Sequence, residues 1–495
     1  MRDPDNSHNS PRHPRRLTKR GQIVLTIVLI VVLLLAGLLY SQHQQIHLFI
    51  QSLSVPMPQP VHITPLTLPP STVTATPVPT TGADWTMYHQ NIARTGFVVG
   101  VPDPTHLMSL WRQHLDGAVY AEPLVIGGQV IVATEHDTLY ALDARTGQIK
   151  WHTTVGTPVP LSNLPCGNID PLGITGTPVY DLQTGLVFAV AEIQGPAHVL
   201  VGVDSKTGQV KVRRIVDPPG ADPQVHQQRA ALALYGGTIY IAFGGLDGDC
   251  GNYHGMVIAS RTDGTGPLLT YQVPTPREGG IWATPGPVID AQGNLYVAVG
   301  NGAVTQGNWD HSDSVLRLSP SLQLEDAFAP QSWQSDNASD ADLGSMGPVF
   351  LPNGLIYANG KTGQGYLLRA DHLGGVGGQI QTITLCSAYG GAAVSDLSLF
   401  IPCIDGLRQL QLASGTNLVP GWQAPQQVTG SPIVGGNTVY SLDSADGKLY
   451  ALNAATGALR ATLSVGATSR FATPTLYQSS IFVGTLTGIV AVGIL

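Results

Sequence analysis

Charge is scarce in this sequence. Asp, Glu, Lys and Arg make up 11% of its 495 residues, less than half the ~25% usual in globular chains. That shortage excludes a long coiled coil. High glycine and proline (58 and 37 residues) could signal disorder or collagen, but the 43% apolar residues are interleaved with turn residues throughout. A β-rich globular body fits that interleaving and disorder does not. Basic charge is scarcer still outside the N-terminus. Residues 1–20 hold six Lys/Arg against two Asp, so the formal net charge of −8 conceals an acidic remainder of −12. An acidic body repels phosphate backbones, which excludes nucleic acid as a partner. Walker loops, Gly-x-Ser-x-Gly and His-Glu-x-x-His are all missing, and no carboxylate pair marks a polysaccharide-acting enzyme.

Residues 21–40 (GQIVLTIVLIVVLLLAGLLY) carry no charge and are long enough as a helix to cross a ~30 Å hydrocarbon core. RRLTKR precedes them and SQHQQ follows, so the positive-inside rule puts residues 1–20 in the cytoplasm as a basic tail and the rest outside. The run is longer than a signal-peptide core and ends without a small-x-small cleavage site, which predicts an uncleaved single-pass anchor in the cell membrane. Residues 41–82 then turn to Pro and Thr. Repeated proline removes hydrogen-bond donors and fixes φ, so this stretch reads as an extended, semi-rigid extracytoplasmic linker.

From residue 84 the chain repeats itself. LYALDARTGQIKW (139–151), LVGVDSKTGQVKV (200–212) and LYALNAATGALRA (449–461) each read as strand, Asx-x-x-Thr-Gly turn, strand. An Asp or Asn caps such a bend and Gly supplies φ > 0. Another strand pair precedes each hairpin, as in EPLVIGGQVIVAT (122–134) and SPIVGGNTVYSLD (431–443). One unit is therefore four short antiparallel strands, a propeller blade. Inner strands are expected to open at Pro123, Pro178, Ala231, Pro287, Pro348, Ala393, Pro432 and Pro474. The last start leaves room for three strands, so Leu107–Leu115 is expected to supply the fourth and close the ring. An all-β, eight-bladed propeller over 84–495 with shared N- and C-terminal closure follows.

Four cysteines outside the cytoplasm favour disulfides. Cys166 falls between the first and second blades, and Cys250 between the second and third strands of the third. Cys386 and Cys403 bracket the two inner strands of the sixth blade. Bridged Cα atoms lie within about 7 Å, which excludes pairing across the ring and leaves Cys166–Cys250 and Cys386–Cys403.

The units resemble the pyrroloquinoline quinone (PQQ) type repeat, Leu-Tyr-Ala-Leu-Asp-x-x-Thr-Gly-x-x-x-Trp, which 139–151 matches nearly throughout. DWTMYHQNIARTG (84–96) also resembles the opening of many such propellers. The resemblance implies the propeller fold. For function it implies either a quinoprotein alcohol dehydrogenase or a non-enzymatic binding or scaffolding module such as the outer-membrane assembly lipoprotein. In the enzymes, similar segments carry an Asp general base before an inner strand, an Asn calcium ligand after a Gly, and a Lys contacting the quinone. Asp342 with Asp340, Asn301 and Lys361 are the positions that look like these, with PQQ and calcium as the cofactors implied. By strand order all four, together with Glu192, are expected on one face around the channel mouth.

The sequence also departs from those enzymes. The vicinal Cys-Cys pair is missing, no segment matches the acidic calcium-ligand motif, and no haem-attaching Cys-x-x-Cys-His is present. The Trp that docks neighbouring blades is kept at Trp111, Trp151 and Trp422 but is replaced by Val212 in the second blade. His254 and His311 lack partners at metal-ligand spacing, while Asp310 and Asp313 would hold calcium only if their loop converges. The balance favours a module that binds a protein or small molecule on the propeller face, with the quinoprotein oxidoreductase as the alternative.

Overall fold

In the computed structural model the described residues are 80–495 apart from 219, 425 and 426. The anticipated tail, the apolar segment 21–40 and nearly all of the linker lie outside them. Among the described residues no helix is long and apolar enough to cross a membrane.

Eight sheets, each built on four antiparallel strands, follow one another along the chain. In the first blade the strands are Leu124–Ile126, Gln129–Ala133, Thr138–Asp143 and Ile149–Thr154, paired in chain order. Inner strands begin at Leu124, Val179, Ala233, Val288, Val349, Ala393, Ile433 and Thr475, each within two residues of its expected start. Leu107–His114 pairs antiparallel with Gly488–Ile494 and completes the eighth blade. The ring thus closes on a shared sheet, which leaves no open seam to pair with another chain. Rings such as Phe188, Phe243, Phe328, Phe400 and Phe482 are buried, so a sequence with few aromatics spends many of them in the core.

The recurrent turn shows why its residue types recur. Asp143 Oδ1 accepts the backbone N–H of Arg145 and Thr146, both at 3.1 Å, and Gly147 follows at φ 73°. Asp204 and Asn453 repeat the arrangement ahead of Gly208 and Gly457. Each turn also receives a tryptophan from the preceding blade. Trp111, Trp151 and Trp422 donate their indole N–H to the carbonyls of Ala144, Ser205 and Ala454 at 3.1, 3.0 and 2.9 Å. Where the second blade has Val212 instead, that side chain lies against Gly264 of the third.

The opening segment, 80–101, lies across one end of the channel. Trp85 pairs with Val125 of the first blade, Tyr180 of the second donates to Thr86, and Ile289 of the fourth donates to Ile92. Val394 and Val434, of the sixth and seventh blades, donate to Thr95 and Gly96. Arg94 is buried and donates to the carbonyls of Tyr88 (3.0 Å) and Leu232 (2.8 Å). Glu122 accepts from Trp85 Nε1 and the His89 N–H. Burial drives the His89 imidazole down to about 3, so this hub holds it neutral. Asp84 and Val98 also reach the first-to-second-strand turns at Gly127 and Gly436, which marks the closed end. The opposite end, where blade junctions and second-to-third-strand loops gather, stays open.

Both anticipated disulfides form at that open end. Cys166–Cys250 spans a Cα–Cα distance of 6.1 Å and Cys386–Cys403 one of 5.7 Å.

Candidate functional site

A cavity of about 590 Å³ occupies the open channel mouth. Asn301, Asp340, Asp342 and Lys361 all line it, although they come from two blades and the junction between them. Asp342 stands just before a short turn, Leu343–Ser345, that feeds the fifth inner strand. Its Oδ1 accepts the backbone N–H of Asn301 at 2.7 Å, and its Oδ2 meets Lys361 Nζ. Two glycines make room for it: a Cβ at Gly300 would come 2.2 Å from Asp342 Oδ1, and one at Gly360 would come 2.1 Å from the Asp342 carbonyl oxygen. Asp342 is buried, which raises its carboxyl; Lys361 and the Asn301 N–H only partly offset that. Lys361 Nζ also holds Asp340 Oδ1 at 2.6 Å. Burial opposes the charge of Lys361, but the two carboxylates outweigh it and raise its pKa.

The fifth expected member is elsewhere. Glu192 does not reach the cavity wall. It is buried, accepts the Gln228 N–H at 2.7 Å, and faces His198 Nε2 at 3.6 Å. His198 in turn binds Asp217 through Nδ1 at 2.5 Å. Burial opposes a charged His198, but Glu192 and Asp217 prevail and push it up to about 10. The placement of Glu192 at the channel mouth is therefore corrected: a local histidine neutralises this carboxylate in the wall between blades. Nor do Asp310 and Asp313 converge on an ion. Asp310 Oδ1 caps Ser312, and Asp313 Oδ1 accepts the Leu343 N–H at 3.0 Å. His254 lies beside a second histidine, its N–H donating to His226 Nε2 at 3.2 Å.

Other lining residues carry no motif. Arg229 lies over the rings of Trp282 and Phe471, 5.4 and 5.2 Å from their centroids, and Arg470 lies 4.0 Å over Tyr389. These are cation–π distances. All five sit in blade junctions, so strand order alone could have flagged them; their identities are not part of the repeat.

The calcium-held quinone that the repeat implies would need a set of free oxygen ligands from these residues. Calcium takes six to eight oxygens. Here both Asp342 oxygens are engaged, Asp340 is held by Lys361, and Glu192 is engaged by Gln228 and His198. Among the described residues, the only His, Cys, Asp or Glu ligand atoms that gather three together belong to Cys386, Cys403 and Asp405, and those cysteines form a disulfide. As arranged, the donor set does not fit the ion, and no step through the cofactor follows from it. What the cavity offers is the Lys361-paired acidic centre, two further carboxylates at Asp247 and Asp249, and two arginines laid on aromatic rings.

A family model described as outer membrane protein assembly factor BamB, of the PQQ repeat type, matches residues 108–211. A polyvinylalcohol dehydrogenase from Sphingopyxis sp. (strain 113P3) is 25% identical over 309 residues, 54% of this chain and 43% of the relative. The chain thus spans less than half of that relative's length. Among solved structures, a quinohemoprotein alcohol dehydrogenase, ADHIIG, from Pseudomonas putida HK5 superposes with a TM-score of 0.65 at 14% identity, covering 83% of this chain and 80% of the other. BamB from Moraxella catarrhalis gives 0.56 at 14% identity, covering 79% of this chain and all of the other. Identities this low carry the fold and not the activity. The chain is an eight-bladed β-propeller whose residues 108–211 match a PQQ-type repeat model.

Proposed function

We propose that this protein is a binding module whose ligand, a protein segment or a small molecule, seats in the channel mouth, and that residues 21–40 tether it to the membrane with the propeller outside. One observation carries the first part. The Lys361 ammonium spans Asp340 and Asp342, so the group best placed to act as a base is already neutralised, while Arg229 and Arg470 present charge on aromatic platforms. Such a surface recognises; it is not poised to take a proton. The test is quinone uptake: the purified full chain, given PQQ and calcium and then desalted, is expected to retain no stoichiometric quinone absorbance. Retention of one quinone per chain would argue for the other reading.

That second reading, a PQQ-dependent oxidoreductase, is favoured by the meeting of Asn301, Asp340, Asp342 and Lys361 in one cavity and by the dehydrogenases among the relatives. It would require the Lys361 bridge to open. The tether rests on the uncharged run and its basic flank. The full chain should sediment with membranes and resist alkaline extraction; recovery in the soluble fraction would remove the anchor.

A further inference from the structure

A second cavity, of about 430 Å³, adjoins the first and shares Tyr120, Ile169 and Leu486 with it. It opens over the junction of the eighth and first blades. Asp116, Glu135 and Asp170 line it together with two histidines, His114 and His136, and its wall contains no lysine or arginine.

Glu135 is the notable member. It sits in the loop joining Gln129–Ala133 to Thr138–Asp143, where its N–H donates to the Ala118 carbonyl at 2.9 Å. Only 2% of the residue is exposed. Oε2 accepts from the Gly173 N–H at 2.8 Å and from Thr175 Oγ1 at 3.1 Å, but Oε1 has no hydrogen-bond partner. Behind it Asp137 is buried with both carboxylate oxygens unpartnered. Gly156 and Gly173 leave space beside those oxygens, since a Cβ at either would come within 2.8 and 2.9 Å of them. Asp116 Oδ1 is fixed by Thr134 Oγ1 at 2.8 Å. A buried acceptor left unpartnered is costly. Here several carboxylates gather with no lysine or arginine on the wall, and Arg229 and Arg213 outside it offset the charges of Glu135 and Asp137 only in part.

We propose that this cavity is a second binding site, for a compact organic cation carrying a primary ammonium group, with Glu135 Oε1 as the anchor. An ammonium needs one strong acceptor and a negative field around it. A divalent metal would need several oxygens at once, and no three carboxylate or imidazole ligand atoms converge here among the described residues. An anion would meet three carboxylates and no lysine or arginine on the wall. The raised carboxyl of Glu135, pushed up to about 8 by burial, is consistent with a group whose counter-charge arrives with a ligand.

Titration calorimetry of the purified full chain with 1,4-diaminobutane, at pH 8 and low salt, tests this. Saturable binding that weakens as salt rises is the expected result. Glu135→Gln keeps an oxygen for Gly173 and Thr175 and should weaken binding at least about tenfold with a melting temperature at pH 8 no lower than that of the unmodified chain. Asp116→Asn, farther from the anchor, should weaken it roughly two- to threefold. Absence of saturable binding by the unmodified chain overturns the proposal, as does undiminished binding by either folded variant. Calcium binding that is lost in Glu135→Gln, with no diamine binding, would replace it with a metal site.

Discussion

Asp313 shows how far burial alone can move one carboxyl. It is fully buried beside the Asp342 turn, with Oδ1 on the Leu343 N–H and Oδ2 unpartnered. Burial first, and the neighbouring Asp342 charge after it, push it up to about 9 from 3.8. The folded state therefore keeps a proton that the unfolded chain releases, so this contribution is complete below pH 3.8 and is lost as pH rises toward 9. Glu135 and Asp137, both pushed up to about 8 mainly by burial, act with the same sign. Asp313→Asn, which can still accept from Leu343, should raise the melting temperature at pH 8 by about 1–3 °C and flatten its decline between pH 5 and 9. Thermal scans across that range check it, and an unchanged slope would contradict it. At this scale the sequence was legible where backbone constraints coincide with chemistry. Asn301 and Lys361 each follow a glycine that makes room for Asp342, and each lies two residues past a strand end, so their shared face could be read by counting. Glu192 could not be placed that way. Its fate depends on His198 across a strand pair and on Asp217 beyond it, contacts that no spacing rule encodes.

Between elements, the Thr-Gly turn and the tryptophan that lands on it make one device. Gly208 sits at φ 74°, where a Cβ would come 2.8 Å from Trp151 Cε3. Gly208→Ala combines left-handed backbone strain with that overlap and should cost about 1–3 kcal/mol. Trp151→Ala removes a part-buried ring and its 3.0 Å bond to Ser205; roughly 3 kcal/mol is expected, the low end for truncating a large aromatic. Chemical denaturation of both variants measures these losses, and values under about 0.5 kcal/mol would mean the dock is not a structural joint. Because the turn is chemically local, the first, second and seventh blades were readable from residues 139–151, 200–212 and 449–461. The added edge strand is a different case: Gly375–Val376 runs parallel to Leu324–Ala329, pairing a loop of the fifth blade with the fourth. Nothing periodic announces a two-residue strand.

For the molecule as a whole, closure and disulfides were legible together, since both follow from blade count. A bridge across 84 residues, Cys166 to Cys250, forms only if the intervening blade has the register read from Pro178. The channel hub was not legible. Residues 80–101 touch the inner strands of many blades through isolated backbone bonds, and long-range contacts of that kind leave no repeat in the sequence. They cross one end of the channel, and Asp342 and Lys361 line the cavity at the other. Under the proposed function this cavity, as arranged, binds a ligand and does not oxidise one. The most direct measurement is reduction of an artificial electron-acceptor dye by the purified full chain loaded with PQQ and calcium, over a panel of primary and secondary alcohols and polyvinyl alcohol. No rate above that of PQQ and calcium without protein is expected; sustained turnover that disappears in Asp342→Ala while the variant stays folded would contradict the binding-module proposal.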